Sequence, residues 1–159
     1  MKRRAAFAAI AGSAAACAAE TRDPAPFFSG TTLKGEKFSK DSLRGKVVLL
    51  QFWATWCGYC KRDEPVVDTV VRDFSAQGLV VLGVNVGESK ETVRQYLAKY
   101  PRACKIVLTE DTNLTSLVSA RAFPLYILLD REGGVAGIQK GSGGEEMLRQ
   151  FLKLVQLER

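Results

Sequence analysis

The sequence predicts an α/β fold in which a central mixed β-sheet is flanked by helices, and three observations carry that prediction. Two nearly continuous apolar runs, Val47–Trp53 and Leu79–Asn85, have the composition of strands buried on both faces. Between and after them, apolar residues recur at helical spacing, so strand and helix alternate as in layered α/β domains. A hydrophobic share of 47% over 159 residues suits one core and leaves little room for a second.

The first run is bounded by Gly45-Lys46 and a small-residue turn, and is the expected central strand. From Gly58 to Ala76, Val66, Val67, Val70, Val71 and Phe74 form a helical stripe. Pro65 lacks a donor and crowds the preceding turn, so it is expected to bend or locally break that helix, and Gly78 to end it. After the second run, Ser89 is placed to cap a helix with Val93, Tyr96, Leu97 and Tyr100 on its apolar face, and Pro101 stops it. Ile106–Leu108 reads as a short strand, and Asp111 as the cap of a helix carrying Leu114, Leu117 and Val118. Leu125–Leu129 is a stronger strand, with residues 130–134 as a turn and 135–139 as its hairpin partner. In the last helix Ser142 and Glu145 fit a capping box, and Met147, Leu148, Phe151, Leu152 and Val155 share one face.

The N-terminal residues 1–18 read as an export signal: Lys2, Arg3 and Arg4, then an Ala-rich apolar stretch, then small residues around Ala16-Cys17-Ala18. Cys17 leaves a lipoprotein-type signal open as the alternative. Residues 19–30, with Pro24 and Pro26, read as a linker into a domain spanning 31–159, with Phe27 and Phe28 as docking side chains. The working compartment is then the periplasm or another extracytoplasmic space, where thiols meet disulfides. Without the signal the chain has 20 basic and 17 acidic residues and no dense basic stripe, so nucleic acid is not an expected partner. There is no histidine, which excludes serine triads, histidine general bases and His-ligated zinc or haem.

Of four cysteines, Cys17 lies in the signal, Cys57 and Cys60 form a pair, and Cys104 stands alone. Three thiols without histidine do not make a zinc site, and Cys104 reads as a small buried side chain. Cys57-Gly58-Tyr59-Cys60 directly follows the central strand and opens a helix. At a helix start, unpaired amides favour a thiolate at Cys57, and Cys60 lies one turn along, within disulfide reach. Reduced Cys57 is then the nucleophile and Cys60 the resolving thiol, with no cofactor required. A purely structural disulfide is the competing reading of the same spacing, and a Cu(I)-thiolate delivery module is a non-enzymatic alternative.

At these residues the chain resembles the thioredoxin superfamily, and within it the TlpA/ResA-like exported thiol-disulfide oxidoreductases. The similar stretches lie within residues 24–157: Pro26 to Phe28, Gly35, Leu43 to Leu50, Phe52-Trp53-Ala54-Thr55-Trp56-Cys57, Cys60 with Pro65, Gly83 to Val86, and Phe123-Pro124 before an apolar strand ending at Asp130. The resemblance implies a thioredoxin-like fold and a redox-active Cys57–Cys60 disulfide. It also implies a cis peptide at Phe123-Pro124, whose loop packs beside the cysteines and pairs with an extended partner segment; from the residues alone, Pro124 simply begins a strand. Trp56, Gly58, Tyr59, Phe123 and Pro124 are the candidate substrate-binding residues.

Three departures bear on function. Gln51 stands where many thioredoxins have a buried carboxylate, and Asp63 stands where some relatives carry a glutamate after the cysteine pair. Asp63 is therefore a candidate proton acceptor for Cys60, against the plainer reading that Lys61, Arg62 and Asp63 form a solvated face; Glu64 is a weaker candidate. Tyr59 replaces the usual proline, and Gly58-Tyr59 is similar to the dipeptide of exported disulfide isomerases, which keeps isomerase or oxidase activity open. The implied partners are disulfide-containing exported proteins, apocytochrome c among them, and a membrane thiol electron donor. The chain is expected to act as a monomer.

Overall fold

A computed structural model describes residues 22–158. Its strands are β1 (Ser29–Thr32), β2 (Lys37–Ser39), β3 (Val47–Trp53), β4 (Leu79–Asn85), β5 (Lys105–Thr112), β6 (Leu125–Leu129) and β7 (Val135–Lys140). Its helices are α1 (Gly58–Phe74), α2 (Lys90–Lys99), α3 (Leu114–Leu117) and α4 (Gly144–Lys153). The strands form one mixed sheet in the order β2-β1-β5-β4-β3-β6-β7, with β3, β4 and β5 parallel and the other pairings antiparallel. This is the thioredoxin-like α/β architecture that the sequence predicts.

Every residue of β3 is buried, because the sheet is covered on both faces. Val47, Leu49 and Trp53 join the core shared with α1, α2 and α4, while Val48, Leu50 and Phe52 join a second core with Phe28, Phe38 and Leu114 of α3. The same alternation sends the polar Gln51 toward the α1 side of the sheet. On that side, α1 packs Val67, Val70 and Phe74 against Leu148 and Leu152 of α4. Pro65 does not break α1: it faces solvent, and the buried stripe continues on either side of it. A 3₁₀ turn, Ser75–Gln77, follows, and Gly78 ends it at φ 90°, a left-handed conformation that glycine adopts without steric cost.

Four expectations change. The stretch read as a linker is part of the domain from Pro24 onward: Pro24 bridges Gly134, Ala25 and Phe28 are buried, and β1 begins at Ser29. Phe27, by contrast, stays exposed. Asp111 does not cap α3, because β5 runs on to Thr112 and Asn113 takes the cap position without a side-chain bond. Ser142 and Glu145 do not form a capping box; α4 starts after Gly143, and the Ser142 hydroxyl is drawn instead to Asp63. Residues 1–18 and Cys17, read as an export signal, lie outside the described residues.

Candidate functional site

The backbone turn after β3 places Cys57 at the N-cap of α1 in an extended conformation, and its Sγ accepts a hydrogen bond from Cys60 N at 3.1 Å. Cys57 and Cys60 are bonded as a disulfide across a Cα separation of 5.3 Å. Cys57 is 5% exposed and Cys60 1%, so both residues are buried and Cys57, the N-terminal one, is the more accessible of the two. Unpaired amides at the helix start are the donors that stabilise negative charge on the Cys57 sulfur once the pair is reduced.

Around the pair the surface is rich in exposed aromatic side chains, with Arg62 lying 4.9 Å from the centre of the Tyr59 ring. Trp56 is 71% exposed and Tyr59 62%, and Gly58 between the cysteines faces open space. The Phe123-Pro124 peptide is cis, and the Phe123 ring meets Trp56 edge-on with centroids 5.8 Å apart. Gly141 N donates to Pro124 O at 2.8 Å, which ties the loop to the end of β7. The structure thus brings Trp56 and Phe123, 67 positions apart in sequence, into one face with the cysteine pair.

The approach to Cys57 is held by a residue that sequence reasoning missed. Glu88 accepts from Thr55 N at 2.8 Å, from the Thr55 hydroxyl at 2.5 Å and from Asn85 Nδ2 at 2.7 Å. Burial pushes its carboxyl up, but the bonds from Thr55 and Asn85 outweigh that and hold it below its ordinary value. A loop glutamate three residues after a strand-end asparagine gives no sequence signal of such a role; the contact joins positions 33 apart.

Beneath the pair, Asp63 departs from the solvated face expected for residues 61–63. Lys61 and Arg62 are exposed, but Asp63 is 1% exposed and shares the buried stripe of α1 with Cys60, one turn away. Its Oδ2 accepts from the Tyr126 hydroxyl at 2.8 Å and its Oδ1 from Ser142 Oγ. Burial and the neighbouring Asp63 push the Tyr126 phenol up, so it remains a neutral donor. Glu64 is also buried, but it turns to a different group: the Tyr96 hydroxyl donates to its Oε1 at 2.5 Å, and Arg102 Nη1 lies 3.7 Å away. Arg102 itself is 1% exposed in its side chain and binds Asp68 Oδ1 and Gln51 Oε1, each at 3.2 Å. Cys104 is buried and unbonded to another cysteine, and burial pushes its thiol up despite the nearby Arg102. Among the described residues, no group of three or more cysteine and carboxylate side chains is placed to hold a metal ion.

A dithiol pair at the head of the helix that leaves the central strand, set in this sheet order, is the arrangement of the thioredoxin superfamily. The chain belongs to the AhpC/TSA family, which its residues 21–138 match. It is 31% identical over 131 residues to thiol-disulfide oxidoreductase ResA of Bacillus subtilis (strain 168), a match covering 82% of this chain and 73% of that one. It is equally 31% identical over 131 residues to ResA of Geobacillus kaustophilus (strain HTA426), covering 82% and 75%. Among solved structures, a thiol:disulfide interchange protein of the thioredoxin family from Chlorobium tepidum TLS superposes with a TM-score of 0.73 at 26% identity, covering 87% of this chain and 99% of that one. Together with the helix-head disulfide, these relatives support thiol-disulfide oxidoreductase activity in general terms.

Proposed function

We propose that this protein is an extracytoplasmic thiol-disulfide reductase that reduces disulfides in exported proteins, apocytochrome c among them, and is recharged by a membrane thiol donor. The observation that carries the reading is the Cys57–Cys60 disulfide at the N-cap of α1, with a backbone amide directed at the Cys57 sulfur and exposed aromatic side chains around it. The name and likeness of the ResA relatives support the same chemistry.

In the reduced protein, the Cys57 thiolate attacks one sulfur of a partner disulfide. A Cys57–partner bond forms, the partner S–S bond breaks, and the released partner thiolate takes up a proton. Asp63 accepts the proton of Cys60, whose thiolate then attacks Cys57 Sγ and expels the second partner sulfur as a thiolate, which is protonated from solvent as Asp63 gives its proton back. Two electrons and two protons pass to the partner, and the Cys57–Cys60 disulfide returns; a dithiol of the membrane donor reduces it again. Trp56, Tyr59 and Phe123 supply the aromatic docking face, Gly58 leaves it open, and the cis Phe123-Pro124 loop offers backbone to an extended partner segment.

Replacing Cys60 with serine blocks the second attack and traps partners on Cys57. Expressed in its own host, the variant is expected to carry apocytochrome c in disulfide linkage. A broad set of envelope proteins would instead favour general thiol maintenance or isomerisation. Absence of any trapped partner, with tight Cu(I) binding and no turnover of a disulfide, would replace the enzyme by a metal-delivery module.

A further inference from the structure

Gln51 on β3 lies directly opposite Tyr126 on β6, and both are fully buried. Gln51 Oε1 accepts from Arg102 Nη2 at 3.2 Å, while Nε2 donates to the Tyr126 hydroxyl at 3.3 Å. A guanidinium can only donate, so Arg102 fixes which end of the amide faces it; the other end can likewise only donate. The Tyr126 oxygen is thereby occupied as an acceptor, and its single proton is directed to Asp63 Oδ2 at 2.8 Å. The donors run one way, from a buried cation to a buried carboxylate one helical turn from the resolving cysteine.

We propose that Tyr126, held in this direction by Arg102 and Gln51, is a positioning residue that keeps Asp63 ready to take the Cys60 proton. The proposal rests on the role given to Asp63 above and extends it to residues from three other parts of the chain. The groups around Asp63 are consistent with it. Cys60 lies on the same helix, Tyr126 approaches from β6 and Ser142 from the segment before α4. Arg102 acts through Gln51 and is itself faced by Glu64 and Asp68 of α1 and by Cys104, while Tyr96 of α2 bonds Glu64. On α4, Arg149 is engaged with Asp73 and Glu145.

The test separates the two thiol steps by stopped flow with the aromatic disulfide DTNB. Cys57 of the reduced protein releases a first thionitrobenzoate and keeps the second in mixed disulfide; attack by Cys60 then releases the second. The rate of this second phase is followed against pH. Tyr126→Phe deletes the hydroxyl and keeps the ring, and losing a hydrogen bond to a charged acceptor is expected to move the acid limb of the second phase upward by about one pH unit. The first phase is expected to keep its profile. Gln51→Glu keeps the shape but puts an acceptor where the amide offered a donor, so it draws the Tyr126 proton away from Asp63 and is expected to shift the same limb in the same direction. Asp63→Asn is expected to abolish the limb. If Asp63→Asn leaves the limb in place, the role of Asp63 itself falls. If Asp63→Asn abolishes it while both Tyr126→Phe and Gln51→Glu match the wild type, the positioning proposal alone is overturned.

Discussion

Replacing Arg102 with methionine removes the cation from the buried cluster on the α1 side of the sheet while keeping an unbranched apolar stem. The side chain is 1% exposed and reaches Asp68 Oδ1 and Gln51 Oε1 at 3.2 Å and Glu64 Oε1 at 3.7 Å, so three acceptors lose it at once. Breaking a buried ion pair from one side costs about 3–5 kcal/mol. Asp68 keeps Ala103 N at 3.0 Å and Glu64 keeps the Tyr96 hydroxyl, which places the expected loss at the lower end, about 3 kcal/mol. For a domain of this size that is a fall in Tm of roughly 6–12 °C. Equilibrium urea unfolding of the oxidised proteins reads it as a lower midpoint at unchanged slope. The pH dependence has a defined sign. Burial already raises the Glu64 carboxyl with Arg102 present, against the pull of Tyr96 and Arg102. A carboxyl raised in the folded state opposes folding once pH rises through its unfolded value, and losing Arg102 raises it further. The penalty is therefore largest near neutrality and shrinks as pH falls and Glu64 takes up its proton. A loss under about 1 kcal/mol, or a penalty that grows in acid, would refute the description of the cluster.

Four further outcomes follow from the geometry. Glu88→Gln leaves one acceptor oxygen for the three donors from Thr55 and Asn85, and is expected to cost about 1–3 kcal/mol at neutral pH. Because the Glu88 carboxyl sits below its ordinary value, its contribution is full above about pH 4.5 and lost as pH falls through the lower folded value; a gap between wild type and variant that widened in acid would contradict this. Gly83→Ala sets a methyl 3.1 Å from Cys104 Sγ and 3.2 Å from Ile106 Cδ1, and denaturant unfolding is expected to show a loss of about 1–3 kcal/mol. Cys104→Ala is expected to leave disulfide turnover within twofold, since that thiol is buried and pushed up; a tenfold fall would give Cys104 a part in the chemistry. Trp56→Ala should change stability by no more than about 0.5 kcal/mol yet lower kcat/KM for a protein disulfide, and equal turnover would remove Trp56 from the docking face.

The strands and helices that carry strong periodicity were legible because their pattern is set by burial within the element itself: β3, β4, β6 and the stripes of α1, α2 and α4. The two strands at the β2 side of the sheet were not. Ser29–Thr32, next to the edge, and Lys37–Ser39, at it, are short, mostly polar and close to glycine and proline, so nothing local distinguishes them from a linker. The caps at Asp111 and Ser142 failed for a different reason: each residue has the right chemistry, but a tertiary partner or a longer strand claimed it. Asp63 could have been placed better. Counting back from Val67 by four and seven positions lands on Asp63 and Cys60, the same buried stripe; the charge of Asp63, beside Lys61 and Arg62, concealed that spacing. The roles of Tyr126, Gln51, Arg102 and Glu88 come from contacts across 33 to 75 positions, which one sequence cannot pair.

The account depends on Cys57 being the reactive sulfur of the pair. The most direct measurement is the rate of iodoacetamide alkylation of the reduced protein against pH, with the modified cysteine identified by mass spectrometry. Cys57 is expected to react first, with a midpoint below the value of about 8.5 of a free cysteine. Alkylation with an ordinary midpoint, or Cys60 and Cys104 reacting as fast as Cys57, would contradict it.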